Sequence, residues 1–199
     1  MSRRKTIAVA IVLALILFIG GMLAYFTDTD TETNIFTLGD KVDIDLLETF
    51  DPTDAVKIHP GAVVEKIPTI KNLSTTTPAY VFAEVTVPCY DSNADGTVDE
   101  ALYTLDNIGA GWNLMETKSI DTTNKTITYI YNYGTSSAMT SLAANATTPA
   151  VFTSVTYKTT ITSAQAATAS ATPNVVVNAY GIQTDSLGVT APSAIFALF

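Results

Sequence analysis

Arginine, cysteine, histidine and tryptophan are nearly missing from this chain of 199 residues. The single cysteine, Cys89, excludes an internal disulfide framework and any cysteine-rich zinc or iron–sulfur site. Catalytic zinc usually takes three protein ligands, commonly with histidine among them; here His59 is the one histidine, and there is no H-E-x-x-H. A Ser-His-Asp arrangement would also have to use His59, without a G-x-S-x-G elbow. Charge is scarce as well, at 15% of residues against roughly 25% in an ordinary soluble domain. What charge there is leans one way. Ten Lys and Arg face nineteen Asp and Glu, a formal net charge of −9 that sets the chain against phosphate backbones and excludes nucleic acid as a partner.

Hydrophobic residues make up 47% of the chain, too many for the disordered class, and threonine occurs 33 times. Abundant Thr with little charge suits half-buried pleated faces, and the length suits one domain with appendages. The first 24 residues read apart. Arg3, Arg4 and Lys5 open them, and Thr6 to Ala24 carries no charge. A basic start and an apolar run make a secretory leader, with Ala24 its last residue and Tyr25 the first of the mature chain. Met22 is larger than the small residue usual at −3, and an uncleaved anchor is the alternative, since 19 apolar residues could just span a bilayer. Without the leader, seven Lys face nineteen acids, a net charge of −12, and no Arg remains. Bidentate guanidinium clamps are therefore absent from the exported part.

Period-two alternation predicts strands over Lys41–Glu48, Val63–Lys71, Ala79–Val87, Lys125–Tyr133, Val151–Thr162 and Asn174–Gln183, with a short one near Trp112. Pro68 hints at an edge or bulge. Ala79, Val81, Ala83, Val85 and Val87 share one face; so do Ile127, Tyr129, Tyr131 and Tyr133. Ala101–Asp106 reads as one helical turn behind Asp99 and Glu100, Ser163–Thr172 as a loop, and Pro192–Phe199 as a terminal turn. The expectation is an all-β, jelly-roll-like antiparallel sandwich behind a signal helix, divided as 1–24 leader, 25–40 extension and 41–199 sandwich domain.

The leader end Gly20-Gly21-Met22-Leu23-Ala24 runs into Tyr25-Phe26-Thr27-Asp28, then Asn34-Ile35-Phe36-Thr37-Leu38-Gly39, then Val42-Asp43-Ile44. His59-Pro60-Gly61, Pro78–Val87, Gly111-Trp112, Val151–Val155 and Asn178-Ala179-Tyr180-Gly181-Ile182-Gln183 follow in order, the last with Gly181 where an Ala is usual. This series resembles the TasA/camelysin family of Firmicutes, whose precursors carry a leader cut by a SipW-type signal peptidase. The resemblance implies a secreted jelly-roll subunit in the extracellular matrix or on the surface of a Gram-positive cell. It would self-associate into biofilm-matrix fibres, alone or with accessory proteins. It also implies that Tyr25–Leu38 is donated as a strand to the next subunit, with Ile35, Phe36 and Leu38 filling an acceptor groove. Pairing of that segment within its own sheet would use the same main-chain bonds.

Asp91, Asn93, Asp95 and Asp99, with Thr97 offering a carbonyl and Gly96 a sharp turn, match the D-x-N-x-D-G-x-x-D spacing of a calcium loop. Position 12 is Leu102 instead of a bidentate Glu, which weakens the site, so a plain polar loop with an Asp-Gly turn is the first reading, and calcium is the alternative and the one cofactor the sequence offers. Some family members are described as metallo-endopeptidases, yet His59 before Pro60-Gly61 reads as a turn residue. Cys89 reads as a packed thiol, and the aromatics Trp112, Tyr129, Tyr131 and Tyr133 as core before sugar platform. No catalytic residue is expected. A fibre subunit is the first reading, a camelysin-type metallo-endopeptidase the second, and a calcium-dependent surface-binding module the third. Nine of the nineteen acids lie between Asp28 and Asp54, against Lys41 alone, so like-charge repulsion gathers beside the segment expected to join subunits.

Overall fold

The structure, a computed structural model, describes residues 42–55, 58–170 and 174–199, all within the unit Gly39–Phe199. The described strands are β1 (Ile44–Phe50), β2 (Val63–Asn72), β3 (Ala79–Tyr90), β4 (Glu100–Ala101), β5 (Tyr103–Asp106), β6 (Trp112–Thr117), β7 (Thr126–Tyr133), β8 (Ser154–Tyr157) and β9 (Val176–Gln183). Two short helices join them, α1 (Ser163–Ala166) and α2 (Pro192–Phe196). One sheet runs β1-β2-β8-β5; the other runs β4-β3-β7-β6, with β9 also paired to β3. All these pairings are antiparallel. The molecule is an all-β sandwich, as its alternating sequence predicts.

β3 is the centre of the second sheet because both its faces are committed. Val81, Ala83, Val85 and Val87 are fully buried between the sheets. Such a Val contributes roughly 1.5–3 kcal/mol. On the other face Tyr80, Glu84 and Thr86 are half-buried. Phe82 on that same face is fully buried, since the Phe196 and Phe199 rings cover it at centroid distances of 5.2 and 6.0 Å. α2 starts with Pro192, whose missing N–H costs nothing in a first turn, and buries Ile195.

Three local expectations are overturned. Residues 101–106 form strand instead of helix, because Tyr103 and Leu105 pair across to Tyr157 and Val155 of β8 and join its buried face. Within 163–172, Thr162 and Gln165 cap each other reciprocally, which is enough to wind the single turn of α1. Of Val151–Thr162 only four residues are strand. Val151 and Phe152 are fully buried, but Val151 bonds to Pro68 O outside any ladder.

Pro68 is not on an edge strand, for β1 runs along Lys66–Asn72 of β2 and β8 pairs with its start. The N–H groups of Lys66 and Ile70 reach Thr153 O and Thr148 Oγ1 on the other side. By the same alternation the missing donor of Pro68 faces that side, beyond the end of the β8 ladder.

Candidate functional site

β1 pairs with β2 and β9 with β3, so among the described residues each leaves one edge outside the ladders. The two border a shallow groove of about 550 Å³, with Ile44 and Leu46 from β1 and Val177 and Ala179 from β9 in its walls. At one end of this seam a Cβ on Gly181 would sit 2.7 Å from Ile44 Cγ2, so glycine is what lets β1 come so close to β9. At the other end lies a cleft of about 280 Å³, walled by Phe50, Ile58, Val64 and Val175. Lys66 also lines this cleft. It is 8% exposed, its Nζ is 2.5 Å from Glu48 Oε1, and it stands 5.1 Å from the Phe50 ring centroid. A charge taken this far out of water needs such partners.

The acidic loop between β3 and β4 is organised by its own backbone. Asp91 is 4% exposed; its Oδ1 accepts from Asn93 N at 3.2 Å and Ala94 N at 2.7 Å, and its Oδ2 from Gly96 N at 2.8 Å. Asn93 Oδ1 accepts from Asp95 N, and Asp95 Oδ1 from Thr97 N. Asp99 accepts from the N–H and the hydroxyl of Ser92, which hold its carboxyl below the usual range. Asp91 N donates to Thr168 Oγ1 and Gln165 Nε2 to Ser92 O, tying the loop to α1 and its C-terminal end. The five residues Asp91, Asn93, Asp95, Thr97 and Asp99 thus stand together in one loop. Among the described residues no three His, Cys, Asp or Glu side chains are grouped so as to hold a metal ion.

His59 O accepts from Ala62 N at 2.9 Å, and Gly61 has φ of 88°. With Pro60 between them this is a type II turn, the role its sequence suggests. Cys89 is fully buried, and burial, helped by Asp99, pushes its thiol up to about 11. The aromatic stripe divides. Trp112 is buried, donates Nε1–H to Pro149 O at 2.9 Å and packs on Tyr133 at 5.4 Å, whereas Tyr129 and Tyr131 line a separate cleft with Tyr103.

The family model for camelysin metallo-endopeptidase matches residues 2–104, just over half of the chain. The chain belongs to the camelysin metallo-endopeptidase family. The resemblance seen in the sequence is thereby borne out. No curated protein and no solved structure matches it.

In this camelysin-family chain the matched residues take in β1 to β4 and the acidic loop, while β7 and β9 lie beyond them. The described residues do not fit a zinc centre: His59 is a turn residue, and the Cys89 thiol is enclosed and far from ionising. Ala24, Tyr25, Ile35, Phe36 and Leu38, expected as cleavage site and donor, lie outside the described residues. Sequence reasoning missed Lys66 and Glu48. The signal was there, because Lys66 has the same parity as Val64, Pro68 and Ile70, the inward side of β2.

Proposed function

We propose that this protein is a secreted structural subunit of cell-surface or matrix fibres, joined by donation of the mature N-terminal segment to the next subunit. It uses no catalytic residue. The observation that carries this reading is the seam, where two strand edges outside the ladders border one shallow groove, walled by Ile44, Leu46, Val177 and Ala179 together with the polar Asn178 and Tyr180. An added strand gains main-chain hydrogen bonds along an edge and places alternate side chains in the groove. Ile35, Phe36 and Leu38 are the apolar side chains that the donor segment offers. Occupation of the seam also removes an edge that would otherwise template indiscriminate pairing.

The test is electron microscopy of purified protein beginning at Tyr25, beside a variant lacking residues 25–38. Fibres from the first and monomers from the second are expected. Monomers from both under all salt and pH conditions, or fibres from both, overturn the reading. Peptidase activity is the competing reading, carried by the family's description. Casein cleavage that a chelator abolishes would replace the structural proposal with an enzymatic one.

A further inference from the structure

We propose that the cleft between β5 and β7 binds a neutral saccharide, one sugar ring at a time. It lies at the opposite edge of the first sheet from β1, so the proposal stands independently of strand donation. The cleft measures about 240 Å³ and is lined by Tyr103 and Thr104 from β5, Tyr129 and Tyr131 from β7, and Lys158. That volume is below the roughly 300–1,000 Å³ of pockets for drug-sized ligands, which limits the occupant to about one ring.

The lining chemistry selects the class. The hydroxyls of Tyr103, Tyr129 and Tyr131 make no hydrogen bond to protein among the described residues. Among the described residues no enclosed side-chain oxygen lacks a partner, so these three hydroxyls are not wholly enclosed, although Tyr103 and Tyr131 are each 6% exposed as residues. Burial raises the phenols of all three, Tyr131 to about 12 with Tyr129 adding to it, so they stay protonated. A protonated phenol both donates and accepts, as a sugar hydroxyl does, and the half-buried Tyr129 is the one of the three whose ring keeps surface for the C–H face of a pyranose, Tyr103 and Tyr131 offering their hydroxyls alone. Lys158 does not make the cleft an anion site, because its ammonium is bonded to Glu100. A chain of net charge −9 also repels polyanions.

The test is an NMR titration of the purified protein with maltohexaose, cellohexaose and chitohexaose, and with an oligogalacturonate as the anionic comparison. At least one neutral hexasaccharide is expected to shift the resonances of Thr104, Tyr129 and Tyr131 with millimolar affinity, and the oligogalacturonate to leave them unmoved. Tyr129→Phe keeps the ring, so its unfolding temperature should hold while affinity falls roughly three- to tenfold for the lost hydroxyl. No shift from any neutral oligomer at tens of millimolar overturns the proposal. So does affinity unchanged in Tyr129→Phe, and equal response to the oligogalacturonate overturns the neutral class.

Discussion

Asp91 does the work of three acceptors with one carboxylate. Its two oxygens satisfy the N–H groups of Asn93, Ala94 and Gly96, and the residue is almost wholly buried. Asp91→Ala leaves those donors without an acceptor at once, and the expected loss is about 2–3 kcal/mol by denaturant unfolding. Asp99→Ala is the comparison, because Asp99 is exposed and serves Ser92 alone; its cost should be well under that of Asp91→Ala. Equal costs at the two positions would show that the loop is not built on Asp91. The spacing of the acids is plain in the sequence. That three backbone donors converge on Asp91 is not, since calcium loops and Asx-turn loops share the same Asp, Asn and Gly preferences.

Elements were legible where alternation is long and both faces have a fixed destination. β3 gives five apolar residues in a row at period two, and all of them are fully buried. β5 has four residues, too few for alternation to outweigh two preceding acids that suit a helix start; its strand character comes from β8, distant in sequence. The seam was illegible for the same reason, because which strands end at an edge depends on every other pairing. On the outer face of the second sheet, Glu84 ties β3 to β9 and to Lys118, the residue after β6. It accepts from Lys118 Nζ at 3.0 Å, and from Asn178 Nδ2 and Tyr180 OH at 3.3 Å each. Burial raises its pKa, but these bonds and the Lys118 charge outweigh burial, and the net shift is downward from 4.5. A carboxyl lowered by folding favours the folded state while ionised, so its contribution is full above about 4.5 and fades as pH falls through the lower folded value. Glu84→Gln should therefore shrink the drop in melting temperature between pH 6 and pH 3, followed by circular dichroism. An unchanged drop would place the acid sensitivity elsewhere.

Across the whole molecule the acids are unevenly spread. Asp185 is the one acid after Asp121, while Asp43, Asp45, Asp51 and Asp54 are exposed just before β1, on it and in the turn beyond it. β1 is an edge of its sheet, and outward carboxylates on an edge oppose its pairing with a like-charged strand. The proposed donor segment carries Asp28, Asp30 and Glu32, so at neutral pH it meets an edge of its own sign. Assembly should quicken as pH falls towards 4 and carboxylates take up protons, and salt should mimic part of this by screening. Light scattering against pH and ionic strength checks it, and rates indifferent to both would break the link between the acidic front and assembly.

The enclosure of Cys89 has a consequence for the proposed place of the subunit in an oxidising medium outside the cell. Reaction with oxidants or with a second thiol requires the thiolate, and a thiol held at about 11 behind a fully buried surface supplies almost none while the fold is closed. Copies in the proposed fibre could therefore be crowded together without covalent cross-links. A thiol reagent added to such an assembly would label each copy only as fast as the end of β3 opens, so the rate of labelling is a clock for the breathing of the sandwich.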